Sequence, residues 1–436
     1  MPHKCLLLVL DGLGDRSCPE LEGRTPLQAA RTPVLDKIAA KGANGLFHPG
    51  SLGRPLPSEK AHFAMFGYDQ SKFPGRGFLE ALGAGLKVGS SDVCILAHLA
   101  ALTRKDNLLY LEKDRPKVSP AEADFLVRQV RDFQEAGISV CFNQTHGLFG
   151  ILVLSGEVLP FVTDCNPMIE GRPLSEILAW SAYRDHPRAL KSAAVLKSYL
   201  VWAHERLQGL ELNQERERKG LPRINGLLTQ RAGQWKPVRS FPDKFGLQGL
   251  SIASGTVYHG LCFFLGMDKH KVKDTDQPGL DLVRRLQLAQ ASLQEYDFVH
   301  VHTKSPDEAA HGKDPLAKKR VIEMLDEGLG RVVEPLVNDP ELLLVVTADH
   351  STPSSGGMIH SGEPVPLTFC GPGVRLDQVR TFDEVSGAAG ALSLVRGAEL
   401  MDLILSGLDR AKLEGIMDTP DDQSFWPGNY RVFSLD

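Results

Sequence analysis

Asp11, the adjacent pair Asp349 and His350 with His360 ten residues on, and Asp307 with His311 four residues on, each stand just after an apolar run of the chain. Carboxylates and imidazoles that follow buried strands gather at the carboxyl edge of one sheet, where α/β proteins place their ligands. A set of this size can hold two divalent cations. In Asp307-Glu308-Ala309-Ala310-His311 the spacing puts carboxylate and imidazole one helical turn apart, so both can face one ion, although an Asp at a helix start also serves as a cap. Thr347-Ala348-Asp349-His350-Ser351-Thr352-Pro353 is the sharper signal, because adjacent Asp and His end a buried strand and His360 follows in a glycine-rich loop. Those polar groups could instead cap the next helix or satisfy loop backbone.

Ser58 follows a proline and precedes an apolar helical pattern, which is the position of an N-cap. A metal changes that reading. A serine oxygen on a divalent cation loses its proton more easily, and the helix start offers N–H groups to an attached phosphate. With Asp11, Asp349 and His350 on one ion and Asp307, His311 and His360 on the other, the set suits in-line phosphoryl transfer between two metals about 4 Å apart.

Strands must carry these residues. Residues 5–10 are apolar throughout, as a strand covered on both faces is. Residues 298–301 and 342–346 have the same character. Between them, Thr32-Pro33 caps and starts a helix through Lys41, and amphipathic spacing predicts helices near 280–293 and 317–333, the latter ended by Pro335. Strands alternating with helices imply a mostly parallel sheet with helices on both faces. From about 102 to 172 the pattern changes, with short strand-like runs at 108–111, 139–142, 150–154 and 159–163 around one helix near 120–136. That reads as a smaller inserted α+β domain, 102–179, between the two parts of the main domain, 1–101 and 180–436. The charge run 214–219 reads as a solvated helix face. Asp11-Gly12-Leu13-Gly14 is no dinucleotide fingerprint, since it lacks a third glycine in register and no helix begins at once.

The 436 residues carry a net charge of −5 from mixed signs, with no basic block to suit nucleic acid and no apolar run to suit a membrane, so a small-molecule partner is expected. The seven cysteines are widely spaced and form no C-x-x-C pair, which favours reduced thiols in a cytoplasmic protein. A homo-oligomer is left open. His62, His98, His300 and His302 lie near the motifs, where they could reach substrate, stand behind the metal ligands or be satisfied core residues.

In this order, Asp11 to Arg16, Thr25 to Ala30, the Ser58 segment, Gly75-Arg76-Gly77, Glu80 to Gly83, Lys219 to Pro222, Arg231-Ala232-Gly233, Asp307 to His311, Asp349 to Pro353 and His360 through Gly373 resemble the alkaline phosphatase superfamily. More narrowly they resemble the archaeal-type 2,3-bisphosphoglycerate-independent phosphoglycerate mutases. The resemblance implies an alkaline-phosphatase-like catalytic domain whose insertion is a lid, and interconversion of 3- and 2-phosphoglycerate through phospho-Ser58. It puts Asp11, Ser58, Asp349 and His350 on one ion and Asp307, His311 and His360 on the other, manganese or zinc with magnesium as the alternative, and no organic cofactor. Arg76, Arg115 and Arg231 match family arginines, whose planar forks suit phosphate and carboxylate, and each could equally form a surface ion pair. Three places depart from the family pattern: Pro57-Ser58-Glu59 for Gly-Ser-Asp, Arg115-Pro116 for a doubled arginine, and Asp164-Cys165-Asn166-Pro167-Met168 for Asp-Thr-Asp-Pro-His. These bear on substrate choice, so a phosphatase of another small phosphorylated metabolite and a non-catalytic metal-binding homologue stand as alternatives.

Overall fold

The computed structural model describes residues 2–420, 422–428 and 430–435. Its strands, in chain order, are β1 (Lys4–Leu10), β2 (Gly42–His48), β3 (Val93–Lys105), β4 (Leu108–Lys113), β5 (Asp132–Glu135), β6 (Ile138–His146), β7 (Phe149–Ser155), β8 (Gly226–Gln234), β9 (Gly249–Ala253), β10 (Asp268–Lys271), β11 (Phe298–Thr303), β12 (Leu342–Thr347), β13 (Val365–Cys370) and β14 (Ser393–Arg396). Two compact units divide the chain, one of Met1–Phe73 with Val238–Asp436 and one of Pro74–Pro237.

The first unit is built on a sheet of order β10-β9-β11-β1-β12-β13-β2-β14. It is parallel except at β13, which runs antiparallel to both β12 and β2. Every residue of β11, β12 and β13 is buried, and so is all of β1 after Lys4, so this centre of the sheet is covered on both faces. Flanking helices do the covering. Pro278–Ser292 and Pro315–Gly330 lie close to the predicted spans, and Gly330 rather than Pro335 ends the second, with Pro335 falling inside the next short helix, Val333–Val337. The helix Pro33–Ala40 begins where predicted, but the Thr32 side chain does not cap it. Asp326 does so from a distant helix, accepting from Val34 N at 3.2 Å and Leu35 N at 2.8 Å.

Register explains why chemistry collects at one edge. β1 lies between two parallel neighbours, with Leu10 opposite Thr303 of β11 and Val9 opposite Thr347 of β12. Residues just beyond these three strand ends are therefore level with one another. The reversed strand β13 begins where β12 and β2 end, with Val365 opposite Phe47, so the loop before β13 and the helix after β2 reach the same edge.

The second unit has an antiparallel sheet of order β4-β3-β7-β6-β5, with β8 also paired to β3. Its apolar core is completed by the helices Pro120–Gln129 and Pro187–Gln208, and Tyr199 of the latter donates to Val130 O at 2.7 Å. The unit is wider than the 102–179 of the sequence expectation, because β3 starts at Val93 and β8 arrives from beyond the long helix. The predicted helix 120–136 stops at Gln129, and β5 follows at Asp132–Glu135. Residues 159–163 form no strand, only an isolated bridge from Val162 to Ala179. The charge run lies on the helix Glu211–Arg218, where Arg216 is not solvated. It is 2 % exposed and binds Glu122, Lys117 O and Pro222 O.

Candidate functional site

Asp11 is the first residue past β1, Asp349 and His350 lie just past β12, and Asp307 and His311 share the short helix Ser305–His311 after β11. Ser58 opens the helix Ser58–Met65, and His360 sits in the loop ahead of β13. All seven residues meet in the first unit. His350 Nε2 is 2.9 Å from Ser58 Oγ, 3.4 Å from Asp11 Oδ1 and 3.2 Å from Asp349 Oδ2. Asp307 lies 3.1 Å from His311 Nε2 through Oδ2 and 3.6 Å from His360 Nε2 through Oδ1. The rings of His350 and His360 stack with centroids 3.7 Å apart. Possible ligand atoms of Asp11, Asp349 and His350 fall within 4.8 Å of one another, as do those of Asp307, His350 and His360. His350 thus borders both groups.

Ser58 does not act as an N-cap. Pro57 holds that position, no side-chain cap bond forms, and the hydroxyl is turned to His350. Asp307 likewise caps nothing, since its carboxylate accepts from Thr352 Oγ1 at 2.7 Å and meets His311.

The hydrogen bonds around the cluster fix which ring nitrogens face it. Thr352 gives its proton to Asp307, so the 3.1 Å contact from Thr352 Oγ1 to His350 Nδ1 is donated by the ring, and Nε2 is left as the acceptor for the Ser58 hydroxyl at 2.9 Å. His360 donates from Nδ1 to Leu56 O at 2.9 Å and also presents Nε2. Burial pushes the His350 imidazole down to about 3, helped by His360 and against the pull of Asp11 and Asp307. His350 is therefore neutral at physiological pH, the form that binds metal. Burial and the neighbouring Asp11 drive the Asp349 carboxyl well above the usual carboxylate range. Burial also acts to raise Asp307, but the bond from His311, the proximity of His350 and the bond from Thr352 outweigh it and hold that carboxyl low.

Asp11 Oδ1 and Asp349 Oδ2 are sealed from solvent and have no hydrogen-bond partner among the described residues. Both face the Nε2 lone pair of His350. Two buried carboxylate oxygens without a donor, directed at an imidazole nitrogen that is itself an acceptor, are costly unless a cation completes the set, and imidazole with carboxylate suits a divalent transition metal. The residues present fit the group the sequence implies.

Gly12 is required where these loops cross. Its φ is +65°, and a Cβ there would lie 2.6 Å from Thr352 Oγ1 and 2.8 Å from Asp307 Cα, while its N–H donates to Asp349 Oδ1 at 3.1 Å. Gly12→Ala is expected to push Asp307 away from the cluster and to cost about 1–3 kcal/mol in backbone strain. Calorimetric metal titration and a thermal melt of the variant check both effects.

The other singled-out residues have varied surroundings. His62 Nδ1 donates to Ser58 O at 2.8 Å, and His302 Nε2 donates to Asp11 Oδ2 at 2.9 Å, so both support cluster residues directly. His300 is bound to Ser251 at 2.9 Å, and in the second unit His98 is bound to Asp114 at 2.9 Å. Also in that unit, Arg76 pairs with Glu80 at 2.7 Å. Arg115 lies 3.4 Å from Asp114 and over the Phe149 ring, and Arg231 holds a left-handed backbone, φ +56°, with its N–H on Asp164. Sequence reasoning missed Tyr258 and Thr352 as parts of the site. Tyr258 sits on the apolar helix Thr256–Leu265, where no local pattern sets it apart from core residues, and Thr352 is legible only as part of the segment after β12.

The seven cysteines are unpaired, and no helix among the described residues is long and apolar enough to cross a membrane. A family model for the Metalloenzyme superfamily matches residues 3–407. The chain is 37 % identical over 422 residues to 2,3-bisphosphoglycerate-independent phosphoglycerate mutase 2 of Methanocaldococcus jannaschii, covering 95 % of each chain. It is 34 % identical to the mutase of the same description from Methanopyrus kandleri, over 95 % of this chain and 99 % of that one. Among solved structures, the cofactor-independent phosphoglycerate mutase from Thermoplasma acidophilum superposes with a TM-score of 0.64 at 28 % identity, covering 93 % of this chain and all of that one.

Proposed function

The chain belongs to the Metalloenzyme superfamily, and within it to the 2,3-bisphosphoglycerate-independent phosphoglycerate mutases, and from that premise we propose that it interconverts 3-phosphoglycerate and 2-phosphoglycerate through a phosphoserine at Ser58. The observation that carries the reading is the placement of Ser58 Oγ, 2.9 Å from His350 Nε2, beside buried carboxylate oxygens that have no hydrogen-bond partner among the described residues.

Asp11, Ser58, Asp349 and His350 would hold one divalent ion and Asp307, His311 and His360 the other, with manganese or zinc favoured by the mixed imidazole and carboxylate donors. When bound, such ions lower the pKa of a hydroxyl and neutralise charge on a transferring phosphoryl group. The chain's own residues do the rest. Ser58 Oγ attacks phosphorus, the bond from phosphorus to the substrate oxygen breaks, and the proton leaving Ser58 ends on that oxygen. The same step run from the other glycerate hydroxyl returns the phosphoryl group and frees Ser58. The start of the helix Ser58–Met65 turns its positive dipole end toward the phosphoserine, and His62 holds the Ser58 carbonyl one turn on. Arg76, Arg115 and Arg231 are proposed to bind substrate phosphate and carboxylate. Glycerate must stay bound between the two steps while water is kept out. The unpaired cysteines favour a cytoplasmic location.

The test is positional exchange. Metal-loaded protein given 3-phosphoglycerate without 2,3-bisphosphoglycerate should produce 2-phosphoglycerate, followed by phosphorus NMR, and exhaustive chelation should abolish the exchange until metal is returned. Release of inorganic phosphate with no exchange would instead select a phosphatase.

A further inference from the structure

Asp11 has two oxygens in contrasting settings. Oδ1 has no hydrogen-bond partner among the described residues and faces His350, whereas Oδ2 accepts from Tyr258 OH at 3.0 Å and from His302 Nε2 at 2.9 Å. Both donors belong to the same unit and both are buried, Tyr258 on the helix Thr256–Leu265 and His302 in β11. They pack on each other with ring centroids 4.3 Å apart, and each contacts His62, at 4.9 and 5.0 Å. Two donors on one oxygen prevent the carboxylate from turning, so the free oxygen stays directed at the cluster.

We propose that Tyr258 and His302 are positioning residues: they restrict Asp11 to ligation through Oδ1 alone. The proposal rests on the metal-site reading above. Donors behind a ligating carboxylate orient it and typically govern metal affinity by 10- to 100-fold. A role confined to core packing would affect the melting temperature and leave the affinity of the folded protein alone.

The experiment uses the full-length, metal-free protein titrated with manganese in competition with a chelator. Tyr258→Phe keeps both ring contacts and removes only the hydroxyl. It is expected to weaken binding by about 10-fold or more, with the metal-free melt unchanged, and at saturating metal to lower kcat while KM stays near its original value. His302→Leu should weaken binding comparably, and His302→Gln, whose amide can still donate to Oδ2, should recover most of the loss. Original affinity in Tyr258→Phe, or His302→Gln no better than His302→Leu, would overturn the proposal. Metal affinity is read without substrate, so failure here is distinct from failure to isomerise phosphoglycerate.

Discussion

Ser58→Ala is expected to lower kcat for isomerisation by about 10⁴-fold or more while leaving the fold in place, because covalent catalysis cannot proceed without its nucleophile. The structure separates this outcome from a loss of stability. Ser58 is the first residue of its helix and provides no cap, so its hydroxyl contributes nothing to the helix start that alanine would forfeit. Were the residue a cap, the variant would lose about 1 kcal/mol and keep its activity. Steady-state kinetics beside a thermal melt distinguish the two. An active Ser58→Ala enzyme would require a different phosphoryl acceptor.

Lys318→Met should have the largest effect on stability. Lys318 is fully buried on the helix Pro315–Gly330, and its ammonium donates to Gly14 O at 2.9 Å, Thr352 O at 2.9 Å and Asp15 Oδ2 at 3.1 Å. Asp15 in turn accepts from Ser354 N, at 3.0 Å through Oδ2, and Thr352 N donates to Gly14 O at 2.9 Å. One buried ion pair thus joins the loop that carries Asp11 to the loop that carries Asp349 and His350. Removing only the cation leaves Asp15 charged and unpaired in the interior, a change that costs about 3–5 kcal/mol. The double variant Asp15→Asn with Lys318→Met buries no lone charge and should regain a large part of that loss in denaturant unfolding. Equal loss in the single and double variants would mean that Lys318 acts through packing alone.

Much of the site was legible because its residues obey strand logic. Asp11, Asp307, Asp349 and His350 follow runs too apolar to be anything but doubly covered strands, and parallel neighbours in register bring such strand ends level. Ser58 was ambiguous, since a cap and a nucleophile occupy the same place ahead of a helix, and only the direction of its hydroxyl decides between them. The supporting layer could be read only in part, through His62 and His302. Tyr258, Thr352 and Lys318 reach the site from segments whose local pattern is ordinary helix or loop, and a single hydrogen bond leaves no periodic trace. Pairings distant in sequence hid other features. Asp326 caps a helix nearly three hundred residues upstream, and β8 joins the second unit's sheet from beyond a helix of 22 residues, which is why that unit extends past the span expected of it.

The most direct measurement is to locate the transferred phosphoryl group. Metal-loaded protein mixed with phosphate-labelled 3-phosphoglycerate, quenched within a turnover and digested, should carry label on the peptide containing Ser58 while label also enters 2-phosphoglycerate. Isomerisation that proceeds with Ser58 unlabelled, or with label on another residue, would contradict the central claim.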